Sequence, residues 1–326
     1  AGHAGEREYY INAFGSQVQR LGLSIQARAR GEEVPPDGYA GDYVRELAAQ
    51  IPGAADADPG ELAQAGVALM VERIQATLQR FGVEFDTWFS ERSLHAGDPT
   101  AVDAALVTLE EAGALFEEEG ATWLRTTPHA DDKDRVLRRS TGEHTYFASD
   151  IAYHLDKRAR GFDRMIDVWG ADHHGYVPRM KASFAALGDD PERLELVIMQ
   201  FVNLIERGER ASMSKRRGDF VTLDELIEQV GVDAARFFLL QRSHDTTVDL
   251  DIDLARERTA ENPVYYVQYA HARIASIRAK AGEDAVAAAV ASGGAAGSEA
   301  PLHPSERILV RKLLAFPGEA AEAAER

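Results

Sequence analysis

Between residues 164 and 240 apolar strands alternate with helices, and this alternation restricts the fold more than any other feature of the chain. Residues 164–169 (RMIDVW) form an apolar strand that runs into Gly170-Ala171-Asp172-His173-His174-Gly175. A helix follows over residues 177–187, with Pro178 in its first turn, where a missing N–H costs least. Residues 194–204 are again apolar, with a strand expected at their end, and lead into the basic loop 208–220 (GERASMSKRRGDF). Thr222 and Glu225 form a capping box for the next helix, and residues 233–240 give a second, apolar helix. Parallel strands need long crossovers, usually helical, so this order predicts an α/β fold with a parallel sheet.

Upstream, residues 7–12 (REYYIN) read as an aromatic, β-branched strand, and Phe14, Val18, Leu21 and Ile25 follow at helical spacing. A short helix over 43–51 and a longer amphipathic helix over 61–81 are set off by Pro/Gly-rich breaks, residues 83–89 are strand-like, and 98–113 is helical. The region from about 22 to 125 therefore reads as a mostly helical insertion without a catalytic constellation. Residues 123–126 and 135–139 read as strands flanking the charged turn 131–134. From residue 253 onward only helices are expected, over 262–277 and again over 302–326, where Phe316-Pro317-Gly318 punctuates the tail. Residues 283–300, rich in Ala and Gly, read as a flexible connection or a weakly specified helix.

Composition narrows the functional classes. The chain of 326 residues is long enough to bury a large core, and 45% hydrophobic with 28% charged residues describes a globular protein. The absence of cysteine removes disulfides, zinc–thiolate sites and cysteine nucleophiles. No apolar run reaches membrane-spanning length and no signal peptide is visible, so the cytoplasm is the expected compartment and no membrane partner is expected. The net charge of −18 argues against broad nonspecific binding to nucleic acid, although a local basic face could still grip a phosphate backbone.

Three constellations can carry chemistry. The first is the turn Gly170–Gly175 at the carboxyl end of a strand, where open α/β sheets bind ligands. Asp172 there can accept from ribose hydroxyls, and His173 or His174 can donate to phosphate or substrate. A plain polar turn is an alternative, as is a metal site gathered from Asp150, His154, Asp172, His173 and His174. The second is Tyr146 and Asp150, four apart on one face of a helix start. The carboxylate can pair with a guanidinium or hold an ammonium, or it can interact with the helix macrodipole over a packed Tyr. The third is Met213-Ser214-Lys215 in the basic loop, which reads either as a solvated turn or as an ammonium held over a nucleotide's phosphates.

The phrases REYYIN, DDKDRVL, TYFASDIAYHLDK, DVWGADHHGYVPRMKA, QFVNL, MSKRRGDFVTLDELI, GVDAARFFLL and NPVYYVQYAHARI, in this order, closely resemble the bacterial type of arginyl-tRNA synthetase. The resemblance runs from about residue 7 to 274 and returns weakly in the tail. It implies a class I synthetase Rossmann-type domain over residues 1–252, with a helical insertion at about 22–125, and the start of an all-α anticodon-binding bundle over 253–326. It also implies ATP as cosubstrate with Mg2+ as its counterion, no protein-bound metal, arginine and its tRNA as further partners, and a monomer. Asp150 then pairs with the substrate guanidinium, with Tyr146 beside it. Gly170, Asp172, His173 and His174 fall where the class binds adenosine and helps to hold the amino acid. Met213, Ser214 and Lys215 match the second signature, usually written KMSKS, with Lys215 stabilising phosphate charge.

The chain departs from the family pattern in several places. Ser212 and Arg216 replace the first lysine and the last serine of the second signature, and Arg216 or Arg217 could supply the missing charge. The family often has Asp where Ala13 stands and Asn where Ser16 stands. Its first signature, His-Ile-Gly-His or a variant, lies ahead of the REYYIN stretch, where only Gly2-His3 is found here. The expectation is therefore a central portion of a synthetase, incomplete at both ends and inactive by itself. The alternatives are a noncatalytic synthetase-like binding protein, which a start codon near Ala1 would favour, and another class I synthetase or nucleotidyltransferase, which the bound amino acid would reveal.

Overall fold

The computed structural model describes residues 4–210, 221–292 and 301–325. It divides into a unit spanning Glu6–Arg256 and another centred on Glu257–Arg326.

In the first unit, β1 (Glu8–Ile11) pairs in parallel with β2 (Thr87–Ser90), placing Tyr9 opposite Trp88 and Tyr10 opposite Phe89. The aromatic rows lock the register, with the Tyr9 and Trp88 rings stacked at 4.7 Å. Three helices run between these strands: α1 (Ser16–Arg30), α2 (Asp42–Gln50) and α3 (Pro59–Arg80). They enclose a small core of Ile25, Val44, Leu47, Ala54 and Leu62. Asp58 caps α3 by accepting from the N–H groups of Gly60 and Glu61, and Gly31 ends α1 in the left-handed conformation. The two helices approach so closely at Gly22 that a Cβ there would lie 1.9 Å from the Pro59 carbonyl oxygen. Backbone cannot give way as a side-chain tip can. Gly22→Ala is therefore expected to cost at least the ~1–3 kcal/mol of an overpacked core, measurable as a lower urea midpoint. At Gly66 the nearest atom is the flexible Ile25 Cδ1, so Gly66→Ala is expected to cost less.

After β2 come α4 (Ala101–Glu111), started by a capping box of Thr100 and Asp103, and an antiparallel meander of β3 (Leu115–Glu118), β4 (Ala121–Leu124) and β5 (Arg135–Arg138). Within the stretch read as a mostly helical insertion, β2 overlaps the strand-like run 83–89 and β4 overlaps the strand expected at 123–126, while β3 was not expected. Next, α5 (Tyr146–Ala159) leads to β6 (Met165–Gly170), α6 (Val177–Ala186) and β7 (Leu194–Met199). The last three form the expected strand–helix–strand unit, parallel in register from Met165 against Leu194 to Gly170 against Met199. Leu109, Leu124, Leu137, Ile151, Met180 and Leu194 are fully buried and join these elements in one core.

The apolar run 194–204, expected to hold one strand, contains two. Gln200 donates its backbone N–H to the His244 carbonyl, and β8 (Val202–Glu206) leaves the β6–β7 pair. It pairs antiparallel with the short β9 (Glu209–Arg210) and in parallel with β10 (Val248–Asp251), a strand missed in the sequence. The fold is the α/β arrangement expected, but its parallel pairing is divided among β1–β2, β6–β7 and β8–β10 rather than drawn into one sheet. The capping box at Thr222 and Glu225 opens α7 (Leu223–Val230), which is followed by α8 (Val232–Leu240) and α9 (Ile252–Arg256). Thr77 donates to Asp224 at 2.5 Å and Arg80 pairs with it at 2.7 Å, so the end of α3 is fastened to the start of α7. Met213, Ser214 and Lys215 lie outside the described residues.

The second unit is helical, with α10 (Pro263–Ala281) capped by Asn262, α11 (Glu283–Ala291), and α12 (Pro304–Glu325). Pro317 lies inside α12, so the tail, expected to hold one or two helices, forms a single one. Among the described residues no helix is long and apolar enough to cross a membrane.

Candidate active site

The site is built where β1, β2 and β6 end and α5 begins. At the carboxyl end of β6 the chain enters a 3₁₀ turn, Ala171–Tyr176. Gly170 makes room for it, since a Cβ there would lie 2.7 Å from Asp172 Oδ1. Asp172 Oδ2 sits 3.7 Å from His173 Nε2, and both side chains are more than half exposed. His174 is exposed as well. Trp169 packs against the rings of both His173 and Tyr176, at 6.0 and 5.7 Å.

Tyr146 opens α5 and is 61% exposed. Its phenol oxygen lies over Gly15, where a Cβ would come within 3.0 Å, and Gly15 has a φ of 89°, so both sterics and backbone call for glycine there. Asp150 stands one turn further along, past the first turn of the helix. Tyr146 is thus not a packed residue under a macrodipole anchor, and the Asp150 carboxylate has a partner of its own: Tyr176 Oη donates to Oδ2 at 2.6 Å. Burial pushes the Asp150 carboxyl above the usual carboxylate range. The hydrogen bond from Tyr176 and the His154 and His173 charges oppose that shift, while Asp167 adds to it. The structure therefore brings Asp150 together with the turn after β6, with Tyr146 on the same helix at the Gly15 side.

Glu91 was not anticipated from the sequence. It follows β2 directly, is only 4% exposed, and is pushed up to about 7 by burial and by the Asp150 charge, against backbone hydrogen bonds from Phe14 and Ala13. Tyr10, at the end of β1, feels both carboxylates; burial, Glu91 and Asp150 all raise its phenol. Among the described residues no Lys or Arg forms an ion pair with Asp150 or Glu91. The only hint to Glu91 in the sequence is its place just after an aromatic strand. Tyr176 lies within a phrase already singled out, DVWGADHHGYVPRMKA.

Beneath the site, His154 Nδ1 meets the Asp150 carbonyl and Nε2 meets Asp167 Oδ2, each at 2.7 Å, and Lys157 also pairs with Asp167. Burial alone would raise Asp167, but His154 and Lys157 outweigh it and hold the carboxyl at about 2. His154 is thereby tied to α5 and β6 rather than turned toward His173 or His174. Among the described residues no group of three or more His, Asp or Glu side chains is placed to hold a metal ion.

Residues 54–276 match the family model of the class I tRNA synthetase (R) catalytic domain, and residues 267–326 that of the DALR anticodon binding domain. An arginine–tRNA ligase of Nitratidesulfovibrio vulgaris is 46% identical over 96% of this chain and 59% of its own length. A solved Campylobacter jejuni protein assigned as an arginyl tRNA synthetase superposes with a TM-score of 0.78 at 37% identity, covering 84% of this chain and 62% of that one. The arginyl-tRNA synthetase of Thermus thermophilus, at 23% identity and a TM-score of 0.70, shares the fold over 98% of this chain and 63% of its own. The chain spans about three fifths of the length of the curated relatives it matches. On these grounds, and on the motifs that line the site, the chain belongs to the class I arginyl-tRNA synthetase family.

Proposed function

We propose that the full-length protein is an arginine–tRNA ligase, using ATP to activate arginine as an adenylate and passing the arginyl group to its tRNA. One observation carries this reading. Asp150 and Glu91 are two partly or fully buried carboxylates in one site, and the described chain supplies neither with an ion-pairing cation. Charges taken out of water need a partner. A guanidinium, planar and always charged, satisfies two carboxylates where a compact ammonium is less well matched. Tyr146, exposed beside Asp150, closes over the substrate, and His173 at the turn after β6 faces the same region.

ATP binds along Gly170, Asp172, His173 and His174, at the strand end where α/β sheets place nucleotides. The arginine carboxylate attacks the α-phosphorus, and pyrophosphate leaves with its developing charge met by Lys215 in the Met213-Ser214-Lys215 loop. A ribose hydroxyl at the tRNA terminus then attacks the acyl carbon and releases AMP. Mg2+ accompanies the ATP phosphates as their counterion. The match of residues 267–326 to an anticodon binding domain supports tRNA as partner. A monomer and a cytoplasmic location complete the reading.

The Glu91 carboxyl gives a pH test. With its value near 7 in the folded protein, half of it carries a proton at neutral pH, and an arriving guanidinium favours the ionised form. Arginine affinity, measured by calorimetry on the full-length protein, is expected to rise from pH 5.5 to about 7 and then level off. Glu91→Gln is expected to weaken binding and flatten that rise. Its folded value lies above the unfolded one, so Glu91 also lowers stability progressively as pH rises from about 4.5 through 7. An unchanged pH profile in Glu91→Gln would remove Glu91 from the site.

A further inference from the structure

We propose that Tyr176 is a positioning residue for the substrate: it occupies one oxygen of Asp150, turns the other toward the guanidinium, and so sets the preference for a cation over a neutral isostere. The inference rests on Asp150 being the carboxylate that receives arginine, and deepens that reading.

The phenol donates to Asp150 Oδ2 at 2.6 Å, a length typical of a strong O–H donor to an anionic oxygen. Its ring is held on three sides: Trp169 meets it edge-on at 5.7 Å, Phe147 edge-on at 5.9 Å, and the Arg179 guanidinium lies 4.6 Å from its centroid. A ring fixed in this way cannot follow the carboxylate if it rotates. Asp150 is therefore anchored at Oδ2, and Oδ1 remains for the ligand.

The chemistry of the donor matters as much as its place. A Lys or Arg at this position would satisfy Asp150 with charge and leave little for a cationic substrate. A phenol satisfies one oxygen and leaves the full negative charge in place. Burial, and then the charge and hydrogen bond of Asp150, raise the Tyr176 phenol far above neutrality, so it remains a donor throughout the physiological range. The same hydrogen bond works against the burial that would otherwise protonate Asp150. The other groups facing Asp150 are His154 on α5, Asp167 on β6 and His173 in the turn, while Tyr10 on β1 and Glu91 after β2 feel its charge; Arg179 on α6 bears on the Tyr176 phenol by its charge and a hydrogen bond, both of which lower it.

The test is calorimetric titration of the full-length protein with arginine and with citrulline, whose ureido group has the same shape without the charge, between pH 5.5 and 8.5. Because Glu91 titrates in this range, each comparison is repeated with Glu91→Gln in both arms. Tyr176→Phe is expected to lower arginine affinity about tenfold or more, in line with loss of a hydrogen bond to a charged group, and to leave citrulline nearly unchanged. The pH at which arginine binding is half lost is expected to move upward, a shift that a merely structural role for the ring would not produce. If Tyr176→Phe does not fold, Arg179→Gln decides: a reduced arginine-to-citrulline ratio supports the proposal, and an unchanged ratio overturns it. Asp150→Asn separates the two levels of inference. If it abolishes the preference for arginine while Tyr176→Phe keeps both ratio and pH midpoint, Tyr176 has no positioning role. If Asp150→Asn binds arginine as the parent does, the assignment of Asp150 itself fails, and the role of Tyr176 with it.

Discussion

Asp150→Ala in the full-length protein is expected to weaken arginine binding by about 2–5 kcal/mol, roughly thirty-fold to several thousand-fold in Kd, while leaving ATP binding close to its parent value. The magnitude follows from the site. Truncating one member of a desolvated charge pair removes an attraction and also leaves the substrate guanidinium in a region already poor in water. Glu91 remains and, freed of the Asp150 charge that helps to raise it, ionises more readily, but the guanidinium then meets one carboxylate where the parent offers two. Tyr176 also loses the hydrogen bond it donates to Asp150, which adds to the cost. Calorimetry on both proteins gives the number, and equal arginine affinities would disprove the assignment.

Lys215→Ala is expected to lower the rate of adenylate formation by about 10²–10³, the usual cost of removing one preorganised group that faces developing charge. Arginine affinity should be little altered, because the ammonium matters as pyrophosphate leaves and not when the amino acid docks. Ser212 and Arg216 stand where the family has further signature residues, so the loop holds Lys215 without the usual lysine ahead of it. If Arg216 or Arg217 shares the task, Lys215→Ala will keep a residual rate that Arg216→Ala reduces further. Single-turnover measurement of adenylate formation, set beside the Kd for arginine, separates the effects. Equal losses in rate and binding would contradict a role confined to the transition state.

Where a pattern is repeated by local chemistry, the structure could be read from the sequence. The strand–turn–helix at 164–187 announces itself by an apolar run, a glycine and a proline in a first turn, and it appears as β6, the 3₁₀ turn and α6. The capping box at Thr222 is equally local. Partners that depend on distant pairing were not legible. The run 194–204 has no turn residue to mark its division, and it splits because β8 finds a partner in β10, over forty residues away. In β10 itself only Val248 and Leu250 are buried, and Asp249 and Asp251 between and after them leave a four-residue signal too short to read.

The site follows the same rule. Asp150 and Tyr146 share a helix face, so their spacing is visible in the sequence. Gly170, Asp172, His173 and His174 fall in one turn, as the strand end requires. Glu91 could not be found this way, because its importance lies in burial and in the nearby Asp150 charge, 59 positions further along the chain. Tyr176 lies in the same turn as His173 and His174, but the hydrogen bond that gives it meaning crosses from that turn to α5. At Gly15 the positive φ is a second reason for glycine, and the first, the Tyr146 phenol lying over it, comes from 131 positions away.

The most direct measurement of the central claim is charging of total tRNA by the purified full-length protein with ATP and each labelled amino acid in turn. The account predicts attachment of arginine, lost in both Asp150→Ala and Lys215→Ala, with lysine and citrulline left unattached. Efficient attachment of a different amino acid, or arginine charging that survives Asp150→Ala unchanged, would contradict it.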